Sequence, residues 1–180
     1  MITLTNERDI AISHEEVFQH DCAIKALNVI HFLMGSNTNK GQFLQFKRAL
    51  DRANQVGNMA PVAQKIIEYV TNVEVDLEIA DIYANAIRDK INERGVIYVD
   101  YTKVKERRVI EQGGKCANRL CHNRITADTA HVGHIIPKKV VGNTLGEDNI
   151  QAICPTCNRK NHTNYDIVEF IVNRKLNHNI

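Results

Sequence analysis

Two close pairs of cysteines constrain this chain more than any other feature. Cys116 and Cys121 stand as C-x4-C and Cys154 and Cys157 as C-x2-C, with 32 residues between the pairs. In a reducing compartment such pairs suit one tetrahedral Zn2+ better than disulfides, because each pair wraps one edge of the tetrahedron in a tight turn. Four thiolates leave no open coordination position, so the metal they imply is structural. His122, beside Cys121, offers a substitute ligand, but the four cysteines already complete the site.

The charge is divided in the same way as the cysteines. Residues 1–100 carry 10 Lys/Arg against 14 Asp/Glu, whereas residues 101–180 carry 13 against 7. The C-terminal part also holds His122, His131, His134, His162 and His178. A basic segment dense in His and Cys is predicted to be a metal-bearing module that meets a polyanion; a solvated face of mixed charge is the alternative. With 43% apolar and 24% charged residues, disordered and low-complexity classes are excluded. No stretch approaches the roughly 20 apolar residues of a membrane span, and MITLTNERDI places charges where a signal peptide has its apolar region. A soluble, cytoplasmic protein with no membrane partner is expected.

The first hundred residues read as helices. Ser13 and Glu16 form a capping box, and Phe18, Cys22, Ala26, Val29 and Leu33 recur at helical spacing, with Ala23, Leu27, Ile30 and Met34 alongside, up to Gly35. Cys22 is predicted to fill the core. A second helix is expected over 41–56, a third from Pro61, and a fourth through Leu77, Ala84 and Ile91 to Gly95, together making a bundle. This region has no ligand spacing, phosphate loop or nucleophile signature, and recognition, homodimerisation and docking of a partner protein are all open to it. Lys47, Arg48 and Arg52 form a small basic cluster on the second helix, for which a solvated face is the ordinary reading and DNA contact the alternative. A short strand at 96–99 and a basic helix over 101–112, ended by Gly113-Gly114, are predicted to form the seam. Arg107 and Arg108 on that helix are candidates for phosphate contact, with a solvated face as the alternative.

Between and after the cysteine pairs stand GHIIP, a glycine-bearing loop, DNIQAIC and CPTCNRKNH. Over about residues 107–163 these resemble the HNH, or His-Me finger, endonucleases, in order, spacing and bracketing cysteines alike. The resemblance implies a ββα unit holding one divalent ion, Mg2+ or Mn2+, beside a scissile phosphate of double-stranded DNA, commonly with a zinc knuckle bracing it. His134 is then the general base, since a neutral imidazole takes a proton from water near pH 7. Asn149 matches the asparagine that holds the loop and orients the base, and Asn158 matches a metal ligand. His162, one turn on at i+4, shares a helical face with Asn158 and corresponds to a histidine that some members add. Lys138, Lys139, Arg159 and Lys160 are candidate phosphate contacts. Many members carry Asp or His immediately before the base, where this chain has Gly133. His131, Asp128 or an extra water is left to fill that position, and Gly133→Asp is expected to restore a ligand and lower the metal requirement. The predicted architecture is α+β, mainly α: a helical domain over 1–100 and a zinc-stapled ββα-metal nuclease module over 101–180. A zinc-bearing DNA-binding module that does not cleave is the alternative function.

Overall fold

The computed structural model describes residues 3–4, 10–93, 98–160 and 166–178. The chain divides into two compact units, Met1–Val96 with Lys139–Leu145, and Ile97–Lys138 with Gly146–Ile180. It is mainly helical, with a small two-stranded sheet in the second unit. No helix among the described residues is long and apolar enough to cross a membrane.

In the first unit, β1 (Thr3–Leu4) pairs antiparallel with β2 (Ile12–Ser13). Helix α1 (His14–Met34) begins where expected, with the Glu16 N–H donating to Ser13 Oγ at 3.0 Å. Helices α2 (Lys40–Gln55), α3 (Ala60–Thr71) and α4 (Leu77–Ile91) follow. Pro61 lies in the first turn of α3, where its missing N–H costs nothing. Ile24, Leu27, Ile30, Leu50, Ile66, Ile67, Tyr83 and Ile87 form the core, and Cys22 is buried with them. The face that α1 buries is rotated from the expected stripe: Phe18 and Val29 are 46% and 38% exposed, while Gln19, His20 and Ile24 are buried. The two polar residues are accommodated by specific partners. Gln19 Oε1 accepts from the Asp76 N–H at 2.6 Å, and His20 Nδ1 bonds the Tyr83 hydroxyl at 2.8 Å, so both help hold α1 to the α4 region. Helix α4 stops at Ile91 with the Asn92 N–H returned to Arg88 O; Gly95, expected to end it, lies outside the described residues, as do residues 96 and 97 of the expected strand. Tyr98 and Val99 are exposed and belong to no strand.

The second unit opens with α5 (Thr102–Glu111). Gly113 and Gly114 follow at φ 63° and 67°, left-handed values that glycine adopts without strain, and turn the chain into the cysteine loop. Strand β3 (His131–His134) runs antiparallel to β4 (Ile150–Ile153), with His134 opposite Ile150 and Gly133 opposite Gln151. Between them in sequence come α6 (Lys138–Val141), which from Lys139 on belongs to the first unit, and a 3-10 turn, Gly146–Asn149; α7 (Pro155–Lys160) and α8 (Ile167–His178) complete the second unit. Buried Asp148 anchors α8, accepting from Arg174 at 3.4 Å and His178 Nε2 at 3.0 Å. Around the sheet Val109, Ile125, Ala130, Ala152 and Ile153 pack with Cys116, Cys154 and Cys157, while Ile135, Ile136, Ile150, Phe170 and Ile171 are buried as well.

Candidate active site and zinc cluster

The four sequence-distant cysteines meet. The sulfurs of Cys116, Cys121, Cys154 and Cys157 lie within 4.8 Å of one another, and among the described residues this is the group of three or more Cys, His, Asp or Glu side chains able to hold an ion. The loop from Gly114 to Ile125 closes on itself through the Cys116 N–H to Asn123 O and the Ile125 N–H to Gly114 O, while the Ala117 N–H reaches Ala152 O of β4. Amide donors then point at sulfur: the Cys154 N–H to Cys116 at 3.3 Å, the Cys157 N–H to Cys154 at 3.5 Å, Asn118 Nδ2 to Cys157 at 3.4 Å and Asn123 Nδ2 to Cys154 at 3.5 Å. Donors of this kind stabilise thiolates. Asn123 and the Cys157 N–H pull the Cys154 thiol down to about 6, whereas burial and the neighbouring thiols push Cys157 up to about 12. Four thiols this close do not all ionise unless a cation sits among them. The donor set, its amide partners and this electrostatic frustration all fit a structural zinc.

The cysteine cluster is continuous with the second site. Cys157 and Asn158 are adjacent on α7, and the Asn158 N–H bonds Cys154 O at 3.0 Å. Asn158 is therefore placed by the cysteines themselves. It lies at the fourth position of α7, which begins at Pro155. Its Nδ2 lies 3.1 Å from His131 Nδ1 at the start of β3.

His134 ends β3 on a cleft of about 330 Å3 whose lining includes Tyr98, Asp100, Tyr101, Lys105, His131, Lys138 and Asn158. The His134 ring meets the Tyr101 ring edge-on at 6.1 Å, and its Nε2 is buried with no hydrogen-bond partner among the described residues. Burial and, secondarily, the Lys138 charge lower its pKa below the ordinary 6.5, keeping the imidazole neutral. Asn149, 2% exposed, holds the strand exit: its Oδ1 accepts from the Ile136 N–H at 2.7 Å, its Nδ2 donates to Ile136 O at 2.9 Å, and its own carbonyl takes the Ile135 N–H at 2.9 Å.

Gly133 does not face this cleft. A Cβ there would stand 2.6 Å from Ile153 Cδ1 and 2.9 Å from Ile153 Cγ1, closer than such atoms approach, in the packed core. The expectation that Gly133→Asp restores a ligand is thus corrected: a side chain at 133 meets Ile153, and the backbone there carries no positive φ, so the obstacle is packing rather than conformation.

The cationic candidates separate. Arg108 is 4% exposed, its guanidinium bonded to Ile150 O, Glu147 O and Glu111, so it ties α5 to β4 and is not a surface cation. The reason is visible in the helix period: Val104 and Arg108 are one turn apart on the buried face. Arg107 is half-exposed and paired with Glu147 at 2.6 Å and Glu111 at 3.6 Å. Lys105, one turn from Tyr101, reaches the cleft instead and was missed, although the same period marks it. Lys138 sits over the Tyr98 ring at 5.1 Å, and Lys139 and Arg159 are exposed. His162 and the side chain of Lys160 lie outside the described residues. Asp100, also missed, accepts from the Thr102 N–H and hydroxyl just before α5, and these bonds hold its carboxyl below the usual range.

Comparison with known families now bears on this geometry: residues 116–164 match the model of the HNH endonuclease family. The C-terminal unit therefore carries an HNH domain with a four-cysteine cluster able to form a zinc site, and such a domain points to nuclease-type chemistry. Neither curated proteins nor solved structures show a significant match to the chain.

Proposed function

We infer that the chain is a metal-dependent endonuclease that hydrolyses phosphodiester bonds of double-stranded DNA, with a structural zinc bracing its active site. The observation that carries this reading is His134: a neutral imidazole with an unpartnered buried nitrogen, on a cleft shared with Asn158 and His131, inside the HNH segment. His134 takes a proton from an attacking water, a task for which a pKa near or below neutrality keeps the base unprotonated. Asn149 holds the chain just past His134, and so its orientation, through both bonds to Ile136. Asn158, His131 and His162 are the residues that would hold Mg2+ or Mn2+; the Asn158 amide oxygen is a ligand type that either ion takes, and water would fill most of the remaining positions. Asn158 Nδ2 and His131 Nδ1 lie 3.1 Å apart, and the Asn158 amide oxygen is the atom that would bind the ion. The ion would stabilise negative charge as the phosphorus–oxygen bond breaks. Lys105, Lys138 and Arg159 supply phosphate contacts, and exposed Lys139 adds another candidate.

The second reading, a zinc-bearing DNA-binding module without cleavage, draws on position 133, where Ile153 excludes an acidic ligand. Nicking of supercoiled plasmid with added Mg2+ or Mn2+ separates the two. The parent nicks, and His134→Ala does not while retaining DNA affinity, because the imidazole acts on water rather than on the phosphate backbone. An alanine variant cutting at the parental rate refutes the assignment of the base. DNA binding without nicking under either ion favours the second reading.

A further inference from the structure

The first unit contains a basic cleft that the HNH domain does not explain. It opens between α2 and α3, has a volume of about 460 Å3, and is lined by Gln42, Gln45, Arg48, Arg52 and Lys65 around a floor of Phe46, Ala49 and Val62. Three cations and two carboxamides rim it, and no carboxylate lines it. Arg48, Arg52 and Lys65 are exposed, and none pairs with a carboxylate among the described residues. Arg52 Nε donates to the Arg48 main-chain carbonyl at 3.3 Å, which holds the Arg52 side chain back along the preceding turn of α2.

The local charge runs against its surroundings. Residues 40–65 hold five Lys/Arg and one Asp, although residues 1–100 as a whole hold 10 against 14. Like charges at i, i+4, as in Arg48 and Arg52, destabilise a helix, and Lys65 from α3 adds a third positive charge at the same cleft. Bundle stability alone does not favour that arrangement; an anion seated among the three relieves it. The apolar floor strengthens the attraction by lowering the local dielectric. The sequence cluster was Lys47, Arg48 and Arg52; at the cleft the tertiary structure replaces Lys47 with Lys65.

We propose that this α2–α3 cleft is a second DNA-backbone site, in which Arg48, Arg52 and Lys65 grip phosphates of the duplex that the HNH domain cleaves. Charge complementarity selects a polyanion, and the choice of duplex DNA rests on the nuclease reading above. The site gives the helical unit a role in affinity and placement but none in chemistry. Gln42 and Gln45 add amide donors to phosphate oxygens, as expected of contacts that position without reading bases.

The test uses the full chain and a fluorescent DNA duplex, with anisotropy measured across a salt series and without added divalent ion, so that binding is read apart from cleavage. The parent binds, and the Arg48→Gln, Arg52→Gln, Lys65→Gln triple variant binds about tenfold or more weakly, with the slope of log K against log salt flatter by about 2–3, since each phosphate contact contributes ~0.9. With Mg2+ or Mn2+ at subsaturating DNA, cleavage by the triple variant falls in step with its loss of affinity. A variant with parental affinity and parental salt slope overturns the cleft while leaving the nuclease reading intact. A parent that neither binds nor cleaves overturns the nuclease reading as well. If the triple variant fails to fold, Gln45→p-benzoylphenylalanine in the otherwise unaltered chain serves instead. A salt-sensitive photocrosslink to the duplex supports the proposal, and its absence, with the parent binding DNA, overturns it.

Discussion

Asn149→Ala isolates the group that holds the strand carrying His134. The side chain satisfies both backbone groups of Ile136, its Oδ1 taking the N–H at 2.7 Å and its Nδ2 giving to the carbonyl at 2.9 Å. Ile136 is 0% exposed and Asn149 2%, so water does not replace either bond. Each orphaned buried group costs about 1–3 kcal/mol, which sums to ~2–6 kcal/mol for the pair. In a unit of this size 1 kcal/mol moves the melting midpoint by about 4–8 °C, so a fall of at least ~8 °C is expected. Urea unfolding of the zinc-loaded chain, followed by far-UV circular dichroism, measures the loss, and plasmid nicking well below the new midpoint measures its effect on His134. Asn149→Asp sharpens the test. Its carboxyl, buried against Ile136 O, has a folded pKa above the unfolded one; the protonated form donates to that carbonyl, so this variant is most stable in acid and loses stability as pH rises through the raised pKa. An Asn149→Ala chain within ~0.5 kcal/mol of the parent would refute the argument that this clamp secures the site.

Serine at any of Cys116, Cys121, Cys154 or Cys157 removes the zinc and the cooperative folding of the C-terminal unit, because structural zinc binding is folding free energy of order 10 kcal/mol; metal analysis and circular dichroism check this, and a folded, metal-free unit contradicts it. The rate of cleavage falls in acid with a midpoint below the ordinary imidazole value of 6.5, since burial and Lys138 lower the His134 pKa and the base works only when neutral. Lys138→Gln removes the secondary cause and moves that midpoint upward; a parental midpoint above 6.5 would sink the assignment. The same depression makes His134 a source of stability above the unfolded pKa that is lost as pH falls through the folded one. Gly133→Ala destabilises the unit by about 1–3 kcal/mol, because its Cβ overlaps Ile153 Cδ1, and a folded Gly133→Asp chain needs as much metal as the parent; a lower metal requirement would show that residue 133 reaches the cleft.

The sequence alone carried the helices of the first unit, the basic helix α5, the cysteine site and the order of the HNH elements, but neither α6 nor α8. Those features are local: the Ser13 cap, the proline in the first turn of α3, the paired left-handed glycines after α5 and the two close cysteine pairs each act within a few residues, where residue type and spacing settle the geometry. Which face each element buries depended on what packs against it, and there the sequence reading went astray. Phe18 belongs to the apolar run of α1 but lies outside the face that α3 and α4 cover. Arg108 reads as a surface cation until β4 supplies Ile150 O as its buried acceptor, and Lys105 takes the cleft. Gly133 reads as a missing ligand until Ile153, twenty residues later, occupies the space its side chain would need. Lys65 joins Arg48 and Arg52 only because α3 returns alongside α2. In each case the deciding atom is contributed by a segment remote in sequence, and pairing between remote segments is set by burial and closure of the whole unit rather than by any local spacing.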